Sequence, residues 1–413
     1  MTRRHFMRHL AGASALALPA FAFTRTLRAN APALSKAHKS AILIWLGGGP
    51  PTIDMWDLKP GAPTAGPLKP INTTGDFQIS ERLPKLAEQG KHLAIVRAMS
   101  TREADHERGR YYMHTGYVPN PSVEYPSYGS VISHELEDLV PQLEIPPFVS
   151  IGGPSEGPGF LGMAYAPFQV DANGNVRDTE MSVPWQRMVD RLKLLEAVET
   201  RFIRERRGSA AEEHAKVLKK TQDLLTSDQM KAFQVRSEEQ KVQDRYGNTN
   251  VGRSCLMARR LVEVGVPFVE VDFGGWDLHK DCFTTLDTKL PELDQAYSAL
   301  LEDLAQRGLL SNTVVLCMGE FGRTPRINGD AGRDHFARAW SAVLSGGGIR
   351  GGHAIGKTNA DGTSVDTEPF SSEDLMASVL KALDISLETT FTTPSGRPMK
   401  IANSGRVIGE LFA

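Results

Sequence analysis

The sequence predicts an α/β fold, in which helices pack around a largely parallel sheet. Short apolar segments bounded by glycine, proline or polar residues recur along the 413 residues and are typical of buried parallel strands. Segments with helical spacing of apolar residues separate several of them, which is the alternation that α/β sandwiches show. The predicted strands are 41–46, 93–99, 146–152, 266–272 and 313–318.

Capping residues and apolar periodicity locate the helices between these strands. The predicted helices are 105–116, one that starts after Pro126, 182–206, 251–264 and 285–307. The segment from about 180 to 250 is helical and highly charged, and we interpret it as an excursion from a single catalytic domain that covers residues 38–413.

Composition and charge exclude several classes of protein. A formal net charge of −2 and a pI near 6.6 give no basis for a nucleic-acid partner. The three cysteines, Cys255, Cys282 and Cys317, allow one disulfide at most, so this is not a disulfide scaffold. The composition is that of a soluble globular protein.

The N-terminus has the pattern of a twin-arginine export signal. Arg3 and Arg4 precede an apolar stretch over 10–23, which is shorter than the ~20 apolar residues that a membrane span needs. We therefore predict a signal peptide over 1–29, with cleavage near Ala29. The predicted partner is the twin-arginine export machinery, the predicted location is periplasmic or extracellular, and no stable membrane span is expected.

Two predicted strands end in acidic and histidine residues. The strand 313–318 is followed by Glu320, Arg323, Asp334 and His335, and the strand 266–272 is followed by Asp277 and His279. Ligands bind at the carboxyl ends of parallel strands, where loops present side chains from a rigid base. Carboxylate and imidazole ligands suit Zn²⁺ or another first-row divalent ion, so we predict a metal or anion site here.

Two further segments offer candidate residues. Asp54, in the glycine- and proline-rich loop after the first strand, either joins the metal site or caps a helix. His106, Arg110 and His114 recur every four residues and share one face of the predicted helix 105–116. This polar face near a helix N-terminus is suited to anions, and the alternative is an ordinary exposed charged face.

Taken together, the motifs resemble a bacterial exported family known as domain of unknown function 1501, within the alkaline phosphatase/sulfatase superfamily. The motifs that carry the resemblance are GGGPPTIDMWDLKP (47–60), HERGRYYMHTG (106–116), GFLGMAYAPF (159–168), GGWDLH (274–279), GEFGRTP (319–325), GRDHF (332–336) and GGGIRGGHAIGKT (346–358).

The resemblance implies a three-layer α/β/α sandwich whose strand-end carboxylates and histidines hold one or two divalent metals. Asp277 and His279 resemble ligands of one metal, Glu320 stands where a later acidic ligand leaves its strand, and His335 resembles the last ligand. The chain departs from the superfamily at the nucleophile, because His106 stands where a Ser, Thr or Cys is usual. The first strand likewise ends in glycines 47–49 rather than in a metal-binding Asp.

Three mechanisms stay open at this point. In the first, a metal-bound water attacks, with His106 or Glu320 as base or ligand and Arg110 or Arg323 holding an oxyanion. In the second, His106 itself attacks. In the third, Thr52 or Thr115 supplies the hydroxyl.

The sequence thus predicts an exported metal-dependent hydrolase of phosphate or sulfate esters, acting on a small or polymeric anionic ester. The alternative is a non-catalytic protein of the same fold that binds a metal or an anionic glycan. Zinc is the expected metal, with manganese, magnesium and calcium as alternatives. The expected metal ligands are Asp54, Asp277, His279, Glu320, Asp334 and His335, and the expected catalytic residues are His106, Arg110, Glu320 and Arg323.

Overall fold

The computed structural model describes residues 38–176 and 227–412, together with separate helical positions between 187 and 224. The predicted signal peptide over 1–29 and much of the predicted helix 182–206 lie outside the described residues. Among the residues that are described, none of the helices has both the length and the apolar character needed to cross a bilayer.

Strands and helices alternate along the chain. The strands are β1 (Ser40–Trp45), β2 (Pro70–Asn72), β3 (Gln78–Ser80), β4 (Ala94–Met99), β5 (Phe148–Ile151), β6 (Phe168–Val170), β7 (Phe268–Asp272), β8 (Thr313–Met318), β9 (Gly322–Arg323), β10 (His335–Phe336), β11 (Trp340–Ser345), β12 (His353–Ile355), β13 (Thr390–Thr392) and β14 (Pro398–Lys400). The helices are α1 (Pro84–Glu88), α2 (His106–Thr115), α3 (Tyr128–Leu136), α4 (Gln240–Tyr246), α5 (Asn250–Glu263), α6 (Cys282–Gln306) and α7 (Ser372–Ala382).

An eight-stranded sheet with the order β12-β4-β11-β8-β1-β7-β5-β6 forms the centre of the molecule. β11 runs antiparallel to β4 and β8, and the other neighbouring pairs are parallel. The predicted largely parallel sheet is confirmed, and it contains all five predicted strands. Sequence patterns missed β6 and β12 because they have three residues each, and β11 because Ser341 and Ser345 interrupt its apolar run.

Helices cover both faces of this sheet, which gives the three layers. Alternate residues of a strand face opposite sides, so Ile44 belongs to one apolar core and Trp45 to the other. Apolar side chains of α4, α5 and α6 complete the first core, and those of α2, α3 and α7 complete the second.

The topology brings four loops to one edge of the sheet. The carboxyl ends of the parallel strands β1, β7 and β8 meet there, and β4 ends at the same edge. The glycine-rich motif that begins at Gly346 lies at the opposite edge, because Gly346 and Gly347 contact Thr313 and Val314 at the start of β8. The first residues of that motif therefore form a structural turn away from the predicted site, whereas its last residue, Thr358, donates to Asp57 in the loop after β1.

Candidate metal centre

Three imidazole nitrogens surround one carboxylate oxygen at the carboxyl edge of the sheet. The Oδ1 atom of Asp277 lies 3.2 Å from Nε2 of His106, 3.1 Å from Nε2 of His279 and 3.3 Å from Nε2 of His335. The Nε2 atoms of His279 and His335 are 3.0 Å apart. Donor atoms of His106, Asp277 and His335 all lie within 4.8 Å of one another. We call His106, Asp277, His279 and His335 the metal centre.

Different elements bring these side chains together. His106 is the first residue of α2, whose N-terminus is capped by the Asp105 side chain, which accepts a hydrogen bond from the Arg108 N–H. Asp277 and His279 lie in the loop after β7. His335 lies in β10, which pairs with β9 in the loop after β8. Residues far apart in the chain therefore meet because their strands are neighbours in the sheet.

Each histidine uses its Nδ1 atom to bind an acceptor outside the centre. Nδ1 of His106 lies 2.6 Å from Glu320, Nδ1 of His279 lies 2.8 Å from Asp334, and Nδ1 of His335 lies 2.7 Å from the Ala104 carbonyl oxygen. Because carboxylates and carbonyl oxygens accept hydrogen bonds, each Nδ1 carries the proton. Each ring therefore turns its Nε2 atom towards Asp277.

These residues fit a divalent metal ion. Among the described residues, the buried Nε2 atom of His106 has no well-aligned hydrogen-bond partner, and the Nε2 atoms of His279 and His335 face each other, which requires a proton or a cation between them. Ligands of tetrahedral zinc, bonded at about 2.0–2.1 Å, are themselves about 3.3 Å apart, close to the separations from Asp277 Oδ1. Three nitrogens and one oxygen suit zinc or another first-row ion better than magnesium or calcium.

Glu320 and Asp334 lie on the far side of the histidines, which differs from their predicted role as ligands. Glu320 is 2% exposed, and its Oε1 accepts from His106 and, at 2.9 Å, from the Gly48 N–H. The Glu320 hydrogen bond raises the pKa of His106, and the His279 hydrogen bond lowers the pKa of Asp334. Both carboxylates orient a histidine and fix its tautomer, as partners of metal-binding histidines do.

Arg323 is buried and binds Asp277, in contrast to its predicted role in holding an oxyanion. Its side chain is fully buried and donates to Asp277 Oδ1 at 2.5 Å and to carbonyl oxygens of three loops. Partial burial acts to raise the pKa of Asp277, but the hydrogen bond and the positive charge of Arg323 outweigh burial and lower this pKa. The guanidinium therefore keeps this carboxylate ionised and fixes the loops around it.

Asp54 does not join the centre, because Arg333 occupies both of its carboxylate oxygens. The Arg333 Nε and Nη2 atoms donate to Asp54 at 2.7 and 2.9 Å, and both side chains are buried. Burial raises the pKa of Asp54, and the Arg333 charge opposes this effect. The pair anchors the loop that carries His335, a role that sequence reasoning missed although Arg333 directly precedes Asp334.

Arg110 and His114 extend from His106 along α2, as predicted, but they contact a second set of acids. The Arg110 Nε atom lies 3.2 Å from Glu156, and the His114 Nε2 atom lies 3.2 Å from the fully buried Glu270. The Arg110 guanidinium also donates to the Pro154 carbonyl oxygen. This differs from the predicted catalytic role of Arg110, because these partners already neutralise its charge.

The two threonines considered as nucleophiles serve the backbone instead. Buried Thr115 donates its hydroxyl to the Tyr111 carbonyl oxygen at 2.7 Å, and the Thr52 hydroxyl accepts from the Ser341 N–H at 3.2 Å. His106 uses one ring nitrogen for Glu320 and turns the other towards Asp277. The geometry therefore favours His106 as a ligand over His106 as a nucleophile.

Comparison with known proteins gives one family and several solved structures. A family model described as "Protein of unknown function (DUF1501)" matches residues 38–412. No curated protein has a significantly similar sequence.

The solved structures with similarity to this chain include three hydrolases. The PsFucS1 sulfatase from Pseudoalteromonas sp. has a TM-score of 0.41 and 11% identity, over 84% of this chain and 68% of that one. Alkaline phosphatase from the Antarctic bacterium TAB5 has a TM-score of 0.38 and 12% identity, over 84% and 99% of the two chains. The phosphonate monoester hydrolase SpPMH from Silicibacter pomeroyi has a TM-score of 0.38 and 11% identity, over 91% and 76%.

Proposed function

The chain belongs to the DUF1501 family, and from the geometry of its site we propose that it is a metal-dependent hydrolase of phosphate or sulfate esters. The observation that carries the proposal is the convergence of three Nε2 atoms on the Asp277 carboxylate. Each of these rings is fixed from behind by an acceptor, so the Nε2 atoms are held in place before any ion binds. The metal would be held by His106, Asp277, His279 and His335.

A bound divalent ion would supply Lewis-acid chemistry and make water nucleophilic near neutral pH. The chain's own residues fix the ligands and neutralise charge. Glu320, Asp334 and Arg323 hold the histidines and Asp277 in one orientation, which avoids reorganisation during a reaction. With His106 as a ligand, the reaction needs no side-chain nucleophile and no covalent intermediate.

Two exposed cations are available to attract an anionic ester. Lys280 directly follows His279, and Arg338 follows His335 by three residues. Neither forms an ion pair within the part of the chain that the structure describes. Arg110 and Arg323 were expected to hold the anionic group, but internal partners already neutralise their charges. Lys280 and Arg338 take over this role. Their positive field would concentrate anionic substrates at this edge of the sheet.

The site of action that we propose is outside the cytoplasm. The support is the N-terminal sequence, in which Arg3 and Arg4 precede the short apolar stretch over 10–23. The twin-arginine route carries folded proteins, so a metal could be bound before export.

Metal content is the first test of the proposal. The purified folded protein is analysed by inductively coupled plasma mass spectrometry, as wild type and as His279→Ala and His335→Ala. His353→Ala is the matched control, because His353 begins β12 near the opposite edge, where its Nε2 contacts the Glu410 carbonyl oxygen. We expect near-stoichiometric zinc, or another first-row ion, in the wild type and the control, and little in the two ligand variants.

Activity is then measured on p-nitrophenyl phosphate and p-nitrophenyl sulfate with the loaded protein. Turnover that is lost in His335→Ala and kept in His353→Ala would support hydrolysis. A wild type that stays metal-free after incubation with zinc, manganese or iron would overturn the proposal.

A second candidate function is metal binding without catalysis. It is favoured by one observation, that the hydroxyls of Thr52 and Thr115 and the guanidinium groups of Arg110 and Arg323 are all bound to internal partners. Stoichiometric metal without turnover of any phosphate or sulfate ester would select this alternative.

A further inference from the structure

A large polar cleft opens at the same carboxyl edge of the sheet as the metal centre. Its volume is about 670 Å³, and it lies between the end of β7, the loop after β5 and the start of α5. Most of its lining can form hydrogen bonds: the polar side chains include those of Asn173, Asn250, Arg253, Ser254, Asp272 and Glu292.

The Asp272 carboxylate and the Ser254 hydroxyl are among the lining groups that have no hydrogen-bond partner within the described residues. The carboxylate of Asp272, a half-buried residue, accepts no hydrogen bond and has no ion pair there, and desolvation raises its pKa. Ser254 is 1% exposed, lines the cleft, and makes no hydrogen bond through its hydroxyl. Buried polar groups are normally paired, so these two point to a ligand that both donates and accepts hydrogen bonds.

The N-terminus of α5 adds donors to the same cleft. Thr249 caps this helix by accepting from the Gly252 N–H, at 3.1 Å. In the portion of the chain described by the structure, the N–H groups of Asn250 and Val251 find no acceptor. These first N–H groups of a helix are available to an oxygen atom of a ligand.

The charges in the cleft argue against an anionic ligand. Asp171, Asp272 and Glu292 line it, and Arg253 is the one cation among its described lining residues; the Arg253 guanidinium donates to the side chains of Asn248 and Asn250. Sugar hydroxyls can donate to carboxylates and accept from N–H groups at once. Phe273 also lines the cleft and is half-buried, so its ring can contact the apolar face of a sugar.

We propose that this cleft is a subsite for an uncharged sugar ring of the substrate. The inference rests on the proposed function, since the esterified group would occupy the metal centre while the neutral ring occupies the cleft. The cleft and the metal centre lie at the same edge of the sheet. Gly274, which lines the cleft, lies beside Gly47, and the next residue, Gly48, donates its N–H to Glu320, the partner of His106. The substrate class is therefore a sugar phosphate or sulfate ester in which an unsubstituted ring adjoins the esterified position.

The test measures binding of neutral sugars by saturation-transfer difference NMR. The probes are the methyl glycosides of glucose, galactose, mannose and N-acetylglucosamine, each titrated into the full-length protein. We expect at least one to bind, and Asp272→Asn to weaken its affinity about tenfold, because a hydrogen bond to a charged acceptor is lost. Ser254→Ala should weaken it in the same direction and should fold well, since alanine suits a helix.

Asp228→Asn is the control, because Asp228 is an exposed carboxylate paired with Lys231. Metal content is measured in every variant and should equal that of the wild type, so that failure of the sugar subsite and failure of the metal centre are distinguished. The proposal is overturned if no glycoside binds, if binding is unchanged in Asp272→Asn, or if Asp272 is required only for binding of calcium ions.

Discussion

At the scale of single residues, the metal centre depends on groups behind the ligands as much as on the ligands. Glu320, Asp334 and the Ala104 carbonyl oxygen each accept from one Nδ1 atom, and this fixes the three rings with Nε2 turned inward. Such partners commonly alter metal affinity by about 10–100-fold when they are removed. The carboxylates that the sequence presents as ligands thus contribute through the histidines that they orient.

The exposed lysine next to His279 should affect substrate binding more than turnover. We expect Lys280→Gln to raise KM for an anionic ester by about threefold at low salt, with kcat unchanged, because it removes an exposed attractive charge. Steady-state kinetics at several salt concentrations measure this, and the difference should shrink as salt rises. Lys241→Gln, an exposed lysine on α4, is the control; an equal effect there would contradict a local role for Lys280.

The buried Asp54–Arg333 pair should be important for stability. Asp54→Ala would leave the Arg333 charge buried without its partner, so we expect a loss of about 3–5 kcal/mol in the free energy of unfolding. Urea denaturation of the metal-free protein measures this independently of the centre. Glu368→Ala removes a partner from the exposed Arg406 pair and should change stability far less. Similar losses in both variants would argue against a special role for the buried pair.

At the scale of elements, α4, α5 and α6 are joined by a buried network of charges. The Asp303 carboxylate of α6 lies 3.0 Å from Arg259 of α5 and accepts from the Tyr246 hydroxyl of α4 at 3.0 Å. Both Arg259 and Asp303 are buried. Burial favours the neutral acid, but the surrounding arginines outweigh it and lower the pKa of Asp303 below its ordinary value of about 3.8.

This lowered pKa predicts how stability depends on pH. The unfolded chain takes up a proton at Asp303 near its ordinary pKa, whereas the folded chain resists protonation until lower pH. The contribution of Asp303 is therefore complete above about pH 4 and is lost as the pH falls through the folded pKa. We expect Asp303→Asn to be less stable than wild type at neutral pH. Its free energy of unfolding should fall less than that of the wild type on acidification, as measured by urea denaturation across pH.

The exposed carboxylate of Asp228 again provides the comparison, because Asp228→Asn should leave the acid dependence of stability nearly as it is in the wild type. An acid slope that is the same in Asp303→Asn as in the wild type would show that other carboxylates are responsible.

At the scale of the whole molecule, the order of strands creates the site. β8, β1 and β7 are neighbours, so the loops after them meet at one edge, although β1 ends at Trp45 and β7 and β8 end at Asp272 and Met318. Arg323 joins these loops, since it donates to carbonyl oxygens of Gly48, Gly49 and Trp276 and to Asp277. The sheet therefore provides a rigid base on which several loops build one centre.

Export of the whole protein should depend on its paired arginines. We expect Arg3→Lys combined with Arg4→Lys to keep the protein in the cytoplasm, because the twin-arginine route reads this pair. Cell fractionation followed by immunoblotting measures the distribution. Arg8→Lys combined with Arg25→Lys changes charges of the same kind near the same terminus and should be exported normally. Export of the first variant at the wild-type level would refute the predicted signal.

Local patterns in the sequence were sufficient to determine the fold class. Short apolar strands and capped amphipathic helices depend on neighbouring residues, so β1, β4, β5, β7 and β8 could be predicted within about two residues. The same patterns located the strand ends, and therefore identified Asp277, His279 and His335 as residues that could meet. His106 was marked as unusual because the sequence resemblance implies a Ser, Thr or Cys at its position.

Only the tertiary structure decided what each candidate does. The separation of Asp54 from the centre, the placement of Glu320 and Asp334 behind the histidines, and the internal partners of Arg110 and Arg323 depend on contacts between distant segments. Spacing along the chain cannot encode which side of an imidazole a carboxylate will face. That choice is made when strands pair and loops pack, because the sheet then fixes which donors and acceptors are within hydrogen-bond distance.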